Sequence, residues 1–254
     1  MKINFSKYQS SGNNFILIDC INQNIYPNKV ISSLVKDPLV IKSDGILFVE
    51  KSKMYDFDLT FFNPDGSKGF CGNGSLCSLH YFSEINMNCK VLSFSSFGKE
   101  YLGKINNEIS LKINDISTFE CFGDEYFINS GAPHHIKFVD DPNYFNLKFE
   151  ADRVRKMDFY LNGDCNVNLV SNLDNDSIYV RTFEKGVERE TLSCGTGAVA
   201  STIAFYLYKK LSIQKVISKG GELKVSFNKS KLNHFSDIYL IGNPSKEFSG
   251  VILI

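Results

Sequence analysis

The sequence predicts a mixed α/β (α+β) fold in two pseudo-symmetric halves, each a β-sheet or barrel wrapped around one central helix. Three observations predict it: short alternating runs recur along the chain, only two segments read as core helices, and both helices open on the same Cys-Gly-polar-Gly tetrapeptide. At 254 residues, 43% hydrophobic and 22% charged, the chain is long enough for one large domain or two ordinary ones.

The strand-like runs are Asn14 to Asp19, Ile46 to Glu50, Phe57 to Phe62, Lys90 to Phe94, Glu108 to Ile113, His135 to Val139, Ser177 to Thr182, Glu222 to Phe227 and Asp237 to Ile241. They are rich in β-branched and aromatic residues and bounded by turn formers. The core helices are Gly72 to Phe82 and Gly195 to Leu211, and the second is apolar on nearly every side until Lys209 and Lys210. A helix of that kind must be enclosed by other structure. Peripheral helices are expected after Tyr26 and around Tyr144 to Lys156.

The internal echo sets the domain plan. FCGNGSLCSLHYF at 70–82 matches SCGTGAVASTIAFY at 193–206, and each is preceded at a similar distance by a Gly-containing turn entering a strand, SGNNFILID from Ser11 and SGAPHHIKFVDD from Ser130. The boundary is expected near Thr118 to Gly123, with one half spanning 1–120 joined by a last strand at 246–254, and the other spanning 121–245.

Charge and cysteine content narrow the function. With 28 basic and 28 acidic residues, the chain carries no electrostatic footprint for nucleic acid or an anionic membrane. The first residues have too short an apolar run for a signal peptide, and no segment approaches the ~18 apolar residues of a membrane span, so a cytoplasmic protein is expected. Seven irregularly spaced cysteines point to free thiols rather than a disulfide framework.

Cys71 and Cys194 stand apart because each immediately precedes a helix. There the first-turn N–H groups lack intrahelical partners and the macrodipole is positive, so a thiolate is favoured and an anion can be bound. The backbones of Gly72, Asn73 and Gly74, and of Gly195, Thr196 and Gly197, offer donors without bulky side chains in the way. If the halves pack face to face, both helix ends can address one carboxylate while the two thiols flank the adjacent α-carbon. That geometry suits removal of a proton from one face and return of a proton to the other, with no metal and no pyridoxal phosphate.

Plainer roles compete at several positions. Cys20, Cys77, Cys89, Cys121 and Cys165 read as structural, and a zinc site from Cys71, Cys77 and His80 lacks a recognised ligand spacing. His134 and His135 can alternate across a strand, one inward and one exposed. Glu184 and Glu190 would ordinarily be solvated charges, and Asn63 in NPDG a turn residue.

The segments KYQSSGNNFILID, FFNPDGSKGFCGNG, SGAPHHIKFVDD, NVNLV, RTFEKGVERETLSCGTGA, GGELKVSF and IYLIGNP, in that order, resemble the diaminopimelate epimerase family along nearly the whole chain. The resemblance implies an active site in the cleft between the halves, Cys71 and Cys194 as the catalytic pair, a small-molecule amino-acid substrate and a homodimer. It implies substrate contacts from Asn13, Asn63, Asn166, Glu184 and the backbone of Gly72, Asn73, Gly195 and Thr196. His134 falls where the family places a histidine beside the thiols, and Glu190 is expected to cap or polarise the start of the second helix. Four residues depart from the family pattern: Asn14 for an Asp, Leu76 and Lys185 for arginines, and Ala132 for an Asn. They bear on recognition of the far, non-reacting end of diaminopimelate, where Lys185 supplies a point charge in place of a bidentate fork.

Overall fold

The computed structural model describes residues 1–86, 89–160, 165–230 and 234–254. The chain divides into two compact units, Met1–Leu111 with Gly242–Ile254, and Lys112–Ile241.

In the first unit the two-residue turn at Ser11 and Gly12, both at positive φ, folds Lys2–Ser10 back on Asn13–Asp19. Positive φ at both central positions is what a tight hairpin matching the strand twist demands. Asn13–Asp19 then pairs parallel with Gly45–Glu50, which pairs antiparallel with Phe57–Phe62. A crossover through the helix Gly72–Ile85 brings Val91–Ser96 parallel to Phe57–Phe62, and Lys99–Ile105 and Ile109–Ile113 follow as antiparallel neighbours. The chain's last strand, Ser245–Leu253, closes on Lys2–Ser10.

The second unit repeats this order. Glu125–Asn129 pairs with Phe119–Phe122 and with Pro133–Phe138, which runs parallel to Asn166–Asn172, itself antiparallel to Ser177–Glu184. The helix Gly195–Lys209 carries the chain to Lys215–Ser218, parallel to Ser177–Glu184, followed by Gly221–Lys229 and Phe235–Gly242. The duplication heard in the sequence is therefore a duplication of strand pairing.

Each central helix is walled in. Helix Gly72–Ile85 packs on Lys2–Ser10 and Lys99–Ile105 so closely that a Cβ on Gly103 would sit 2.3 Å from Leu79 Cδ2. Helix Gly195–Lys209 is buried from Gly195 through Phe205 without a solvated face, which accounts for its all-round apolar sequence. Outside the strands, the helix Pro27–Leu34 caps one apolar cluster with Val30 and Leu34, and the helix Leu147–Val154 another with Leu147, Ala151 and Val154. Each of these valine and leucine side chains contributes on the order of 2 kcal/mol by leaving water. Among the described residues no helix is long and apolar enough to cross a membrane.

Candidate active site: two thiols at helix starts

Cys71 is the N-cap of its helix, with φ −133° and ψ 115°, and its sulfur accepts the N–H of Gly74 at 3.4 Å. Cys194 is the N-cap of the other, with φ −135° and ψ 114°, and its sulfur accepts the N–H of Gly197 at 3.4 Å. A thiol in place of the usual Ser or Asp cap receives a backbone donor and the positive end of a helix, and both favour sulfur in its anionic form. Both cysteines are partly exposed. Glycine at the third helical position is a packing requirement in both. A Cβ on Gly74 would meet Leu47 at 2.9 Å, and one on Gly197 would meet Asn168 at 2.9 Å and His134 at 3.2 Å.

The remaining cysteines contrast with this pair. Burial pushes the Cys20 thiol up to about 12, the Cys165 thiol up to about 11, and the Cys77 thiol well above its ordinary value, so these stay protonated and inert. Among the described residues no group of three or more His, Cys, Asp or Glu is arranged to hold a metal ion.

The first unit surrounds its thiol with amides. Buried Asn13 accepts the side-chain N–H of Asn73 at 2.7 Å, joining the hairpin to the first helical turn. Asn63 lies in the turn before Lys68–Gly69, where its amide donates to Ser67 Oγ at 3.0 Å, and its Nδ2 sits 3.7 Å from where a Cβ on Gly69 would be. Phe70, the residue before the thiol, stacks on Tyr101 with ring centroids 4.5 Å apart and anchors the approach to the helix.

The second unit brings His134, Asn166, Asn168 and Thr196 into one buried network beside Cys194. His134 Nδ1 lies 3.0 Å from Asn168 Oδ1, and its Nε2 lies 2.9 Å from Thr196 Oγ1 and 3.3 Å from Asn166 Nδ2. Thr196 Oγ1 is in turn 3.5 Å from Cys194 Sγ. Burial lowers the His134 pKa to about 4, against a smaller opposing effect of the Asn168 hydrogen bond, so the ring is neutral at pH 7. The backbone N–H of exposed Lys185 donates to Asn166 Oδ1 at 2.8 Å, and Glu184 accepts the Thr191 hydroxyl at 2.6 Å.

Three expectations change. Glu190 does not cap the second helix, because Cys194 itself does; the Glu190 carboxylate is held by Arg181 at 2.7 and 2.8 Å and by Lys219 at 2.9 Å, which keep it below the usual carboxylate range. His135 is not the exposed partner of His134. Both are fully buried, because Pro133–Phe138 is covered on both faces, and His135 is bonded to Tyr160 at 2.8 Å and Glu125 at 2.9 Å. Leu76 is completely buried in the core of its unit, so that departure from the family pattern is a packing residue. Asn168 was missed by sequence reasoning: it sits inside NVNLV, and only strand alternation from Asn166 places it on the same face.

The diaminopimelate epimerase family model matches residues 5–100 and 126–247. This chain belongs to the diaminopimelate epimerase family. A diaminopimelate epimerase of Flavobacterium psychrophilum is 34% identical over 244 residues, covering 93% of this chain and 94% of its own length. Another, from Hydrogenobaculum sp., is 31% identical and covers 97% of each chain. Among solved structures, a phenazine biosynthesis protein of the PhzF family from Bacillus anthracis superposes with a TM-score of 0.80 over 100% of both chains at 14% identity, a likeness of fold alone. As a member of the diaminopimelate epimerase family, the chain is an enzyme of the isomerase class.

Proposed function

We propose that the chain interconverts LL- and meso-2,6-diaminopimelate, in the supply of lysine and peptidoglycan precursors, by proton transfer between two thiols and the α-carbon. One observation carries the reading: each unit holds a partly exposed thiol at the start of an enclosed helix, in the same backbone conformation and with the same N–H donor. One sulfur, as thiolate, takes the α-proton while the other, as thiol, gives its proton to the opposite face of the same carbon. The two then carry exchanged protonation states, and the incoming hydrogen comes from solvent. First-turn N–H groups at Gly72, Asn73, Gly195 and Thr196 bind the α-carboxylate and stabilise the charge that grows on it as the C–H bond breaks. Asn13, Asn63, Asn166, Glu184 and Lys185 are assigned to the substrate's polar groups, and His134 to support of the thiols. The proposed chemistry calls on no metal or pyridoxal phosphate. Assembly as a cytoplasmic homodimer belongs to the same proposal, and sedimentation of the purified protein reads its oligomeric part.

Purified, reduced protein incubated with LL-diaminopimelate in heavy water should yield meso product carrying α-deuterium. A folded, reduced sample that gives neither removes this substrate. Ala132 and Lys185 favour a second reading, racemisation of another amino acid such as histidine, because both change the polar groups offered to a distal carboxylate. A panel of L-amino acids scored for α-deuterium exchange separates the two. A non-catalytic amino-acid-binding relative would exchange none of them.

A further inference from the structure

The network behind Cys194 has a direction, and two independent pins set it. Asn168 Nδ2 donates to the Gly197 carbonyl at 3.1 Å and to Ser201 Oγ at 2.9 Å. A carbonyl only accepts, so the amide nitrogen must face it, and Oδ1 is the atom turned to His134 Nδ1. His134 therefore carries its hydrogen on Nδ1. On the other side, Asn166 Oδ1 is occupied by the Lys185 backbone N–H at 2.8 Å, which turns Asn166 Nδ2 toward His134 Nε2. Both pins leave Nε2 bare.

A bare Nε2 fixes the hydroxyl between it and the sulfur. Thr196 Oγ1 is 2.9 Å from Nε2, too close for two lone pairs to face each other, so its single hydrogen points at His134. What Thr196 offers Cys194, 3.5 Å away, is then a lone pair. A lone pair accepts S–H and repels S⁻, opposing the N–H of Gly197 on the same sulfur. Side chains around the small cavity at Cys194, including Thr182, Thr191, Ser193 and Ser218, carry no charge.

We propose that Asn168 is a positioning residue: by holding His134 in its Nδ1–H form, it aims the Thr196 hydroxyl at His134 and keeps the resting proton on the Cys194 sulfur. The inference rests on the two-thiol reading above for its relevance to turnover, since it makes Cys194 the proton-bearing member at rest. It also explains why a buried imidazole and a buried amide stand here at all. By register, the strand positions matching His134 and Asn168 in the first unit are Phe15 and Leu47.

The test uses the full chain without substrate. Long-range ¹H–¹⁵N spectra of histidine-labelled protein at pH 7, with His134 assigned from a His134→Gln sample, should show a protonated Nδ1 and a bare Nε2. A ring protonated at Nε2, or at both nitrogens, overturns the proposal. In Asn168→Leu, which copies the first unit, Nδ1 loses its acceptor and only the longer 3.3 Å contact from Asn166 still favours a bare Nε2, so the ring can place its hydrogen on Nε2 and release the Thr196 hydroxyl to donate to sulfur. Cys194 should then be alkylated by iodoacetamide about fivefold faster, with Cys71 in the same molecule as the reference and mass spectrometry resolving the peptides. An unchanged ratio sinks the proposal. Asn168→Asp, whose buried carboxyl must be protonated to donate to the Gly197 carbonyl as the amide does, retains an oxygen opposite Nδ1 and should keep both the wild-type ring form and the wild-type ratio; acceleration equal to that of the leucine variant would mean loosened packing, and would equally overturn it. This variant and the spectrum decide the matter even if the leucine variant does not fold. None of these readouts depends on which amino acid is turned over, so they stand or fall separately from the substrate assignment.

Discussion

The two helix starts have one backbone and two different walls. Their cysteines agree within 2° in φ and 1° in ψ, and each accepts the N–H three residues on at 3.4 Å. Behind Cys71 the parallel strands present Phe15, Leu47 and Gly45, while behind Cys194 the same register positions hold His134, Asn168 and Asn166. The comparison separates two levels of specification. The backbone repeat decides where sulfur and amide donors stand; the strand side chains beneath decide which hydrogen bonds the sulfur meets. A polar wall in a dry interior is tolerable only when its members satisfy one another, and the second unit meets that condition through Asn168, Asn166 and Ser201.

The largest effect is expected where the units are alike. Cys71→Ala and Cys194→Ala should each lower epimerisation of the α-carbon by about 10³-fold or more, since under the two-thiol proposal either loss removes the proton carrier of one face. Chiral separation of the product measures it. A variant that kept wild-type turnover would mean that only one unit supplies chemistry.

A second effect separates the walls. An unfolded chain protonates its histidine near pH 6.5, whereas folded His134 does so only near pH 4. Between those values the unfolded state holds the extra proton, so this contribution is fully present above pH 6.5 and is lost as pH falls to 4. The gap is worth about 3 kcal/mol. Urea titrations across that window should show wild-type stability falling more steeply than that of His134→Phe, the first unit's choice at this position. The carboxylates of Glu125 and Glu150, held low by their hydrogen bonds to His135, Lys137 and Arg153 against the effect of burial, add a common acid slope to both proteins. Parallel curves would deny His134 its neutral, buried state.

How much of this was legible depended on whether a segment's burial matched a simple period. Runs with one face in and one out, such as Phe57–Phe62, and the enclosed helix Gly195–Lys209 announced themselves. Phe119–Phe122 did not, because none of its residues is buried and it has no inward face to read. Asn166–Asn172 is buried on both faces yet interrupts its apolar run with Asn166 and Asn168, residues whose cost is met only by partners far away in sequence. The thiols were visible because helix starts are local, sequence-contiguous structures. The direction of the hydrogen bonds behind Cys194 was not, because it depends on Gly197 and Lys185 backbone atoms brought in by other elements.

The smallest effect expected is a difference between two glycines. Gly74→Ala and Gly197→Ala add the same methyl group at the third position of equivalent helices, and each clashes at 2.9 Å. On Gly74 the obstacle is Cδ2 of Leu47, the far end of a flexible side chain that can change rotamer. On Gly197 it is the Asn168 amide, which already bonds Gly197 O, Ser201 and His134, with the His134 ring a further 3.2 Å contact. Overpacking costs roughly 1–3 kcal/mol, least where neighbours yield. Gly74→Ala should therefore fall at the low end and Gly197→Ala at the high end, a gap of about 1 kcal/mol or more in urea midpoints at equal m. In the Asn168→Leu background, where the rigid amide is replaced by a side chain like Leu47, the gap should shrink. A gap that survived there would locate the rigidity of the second unit in its backbone instead of in the polar wall.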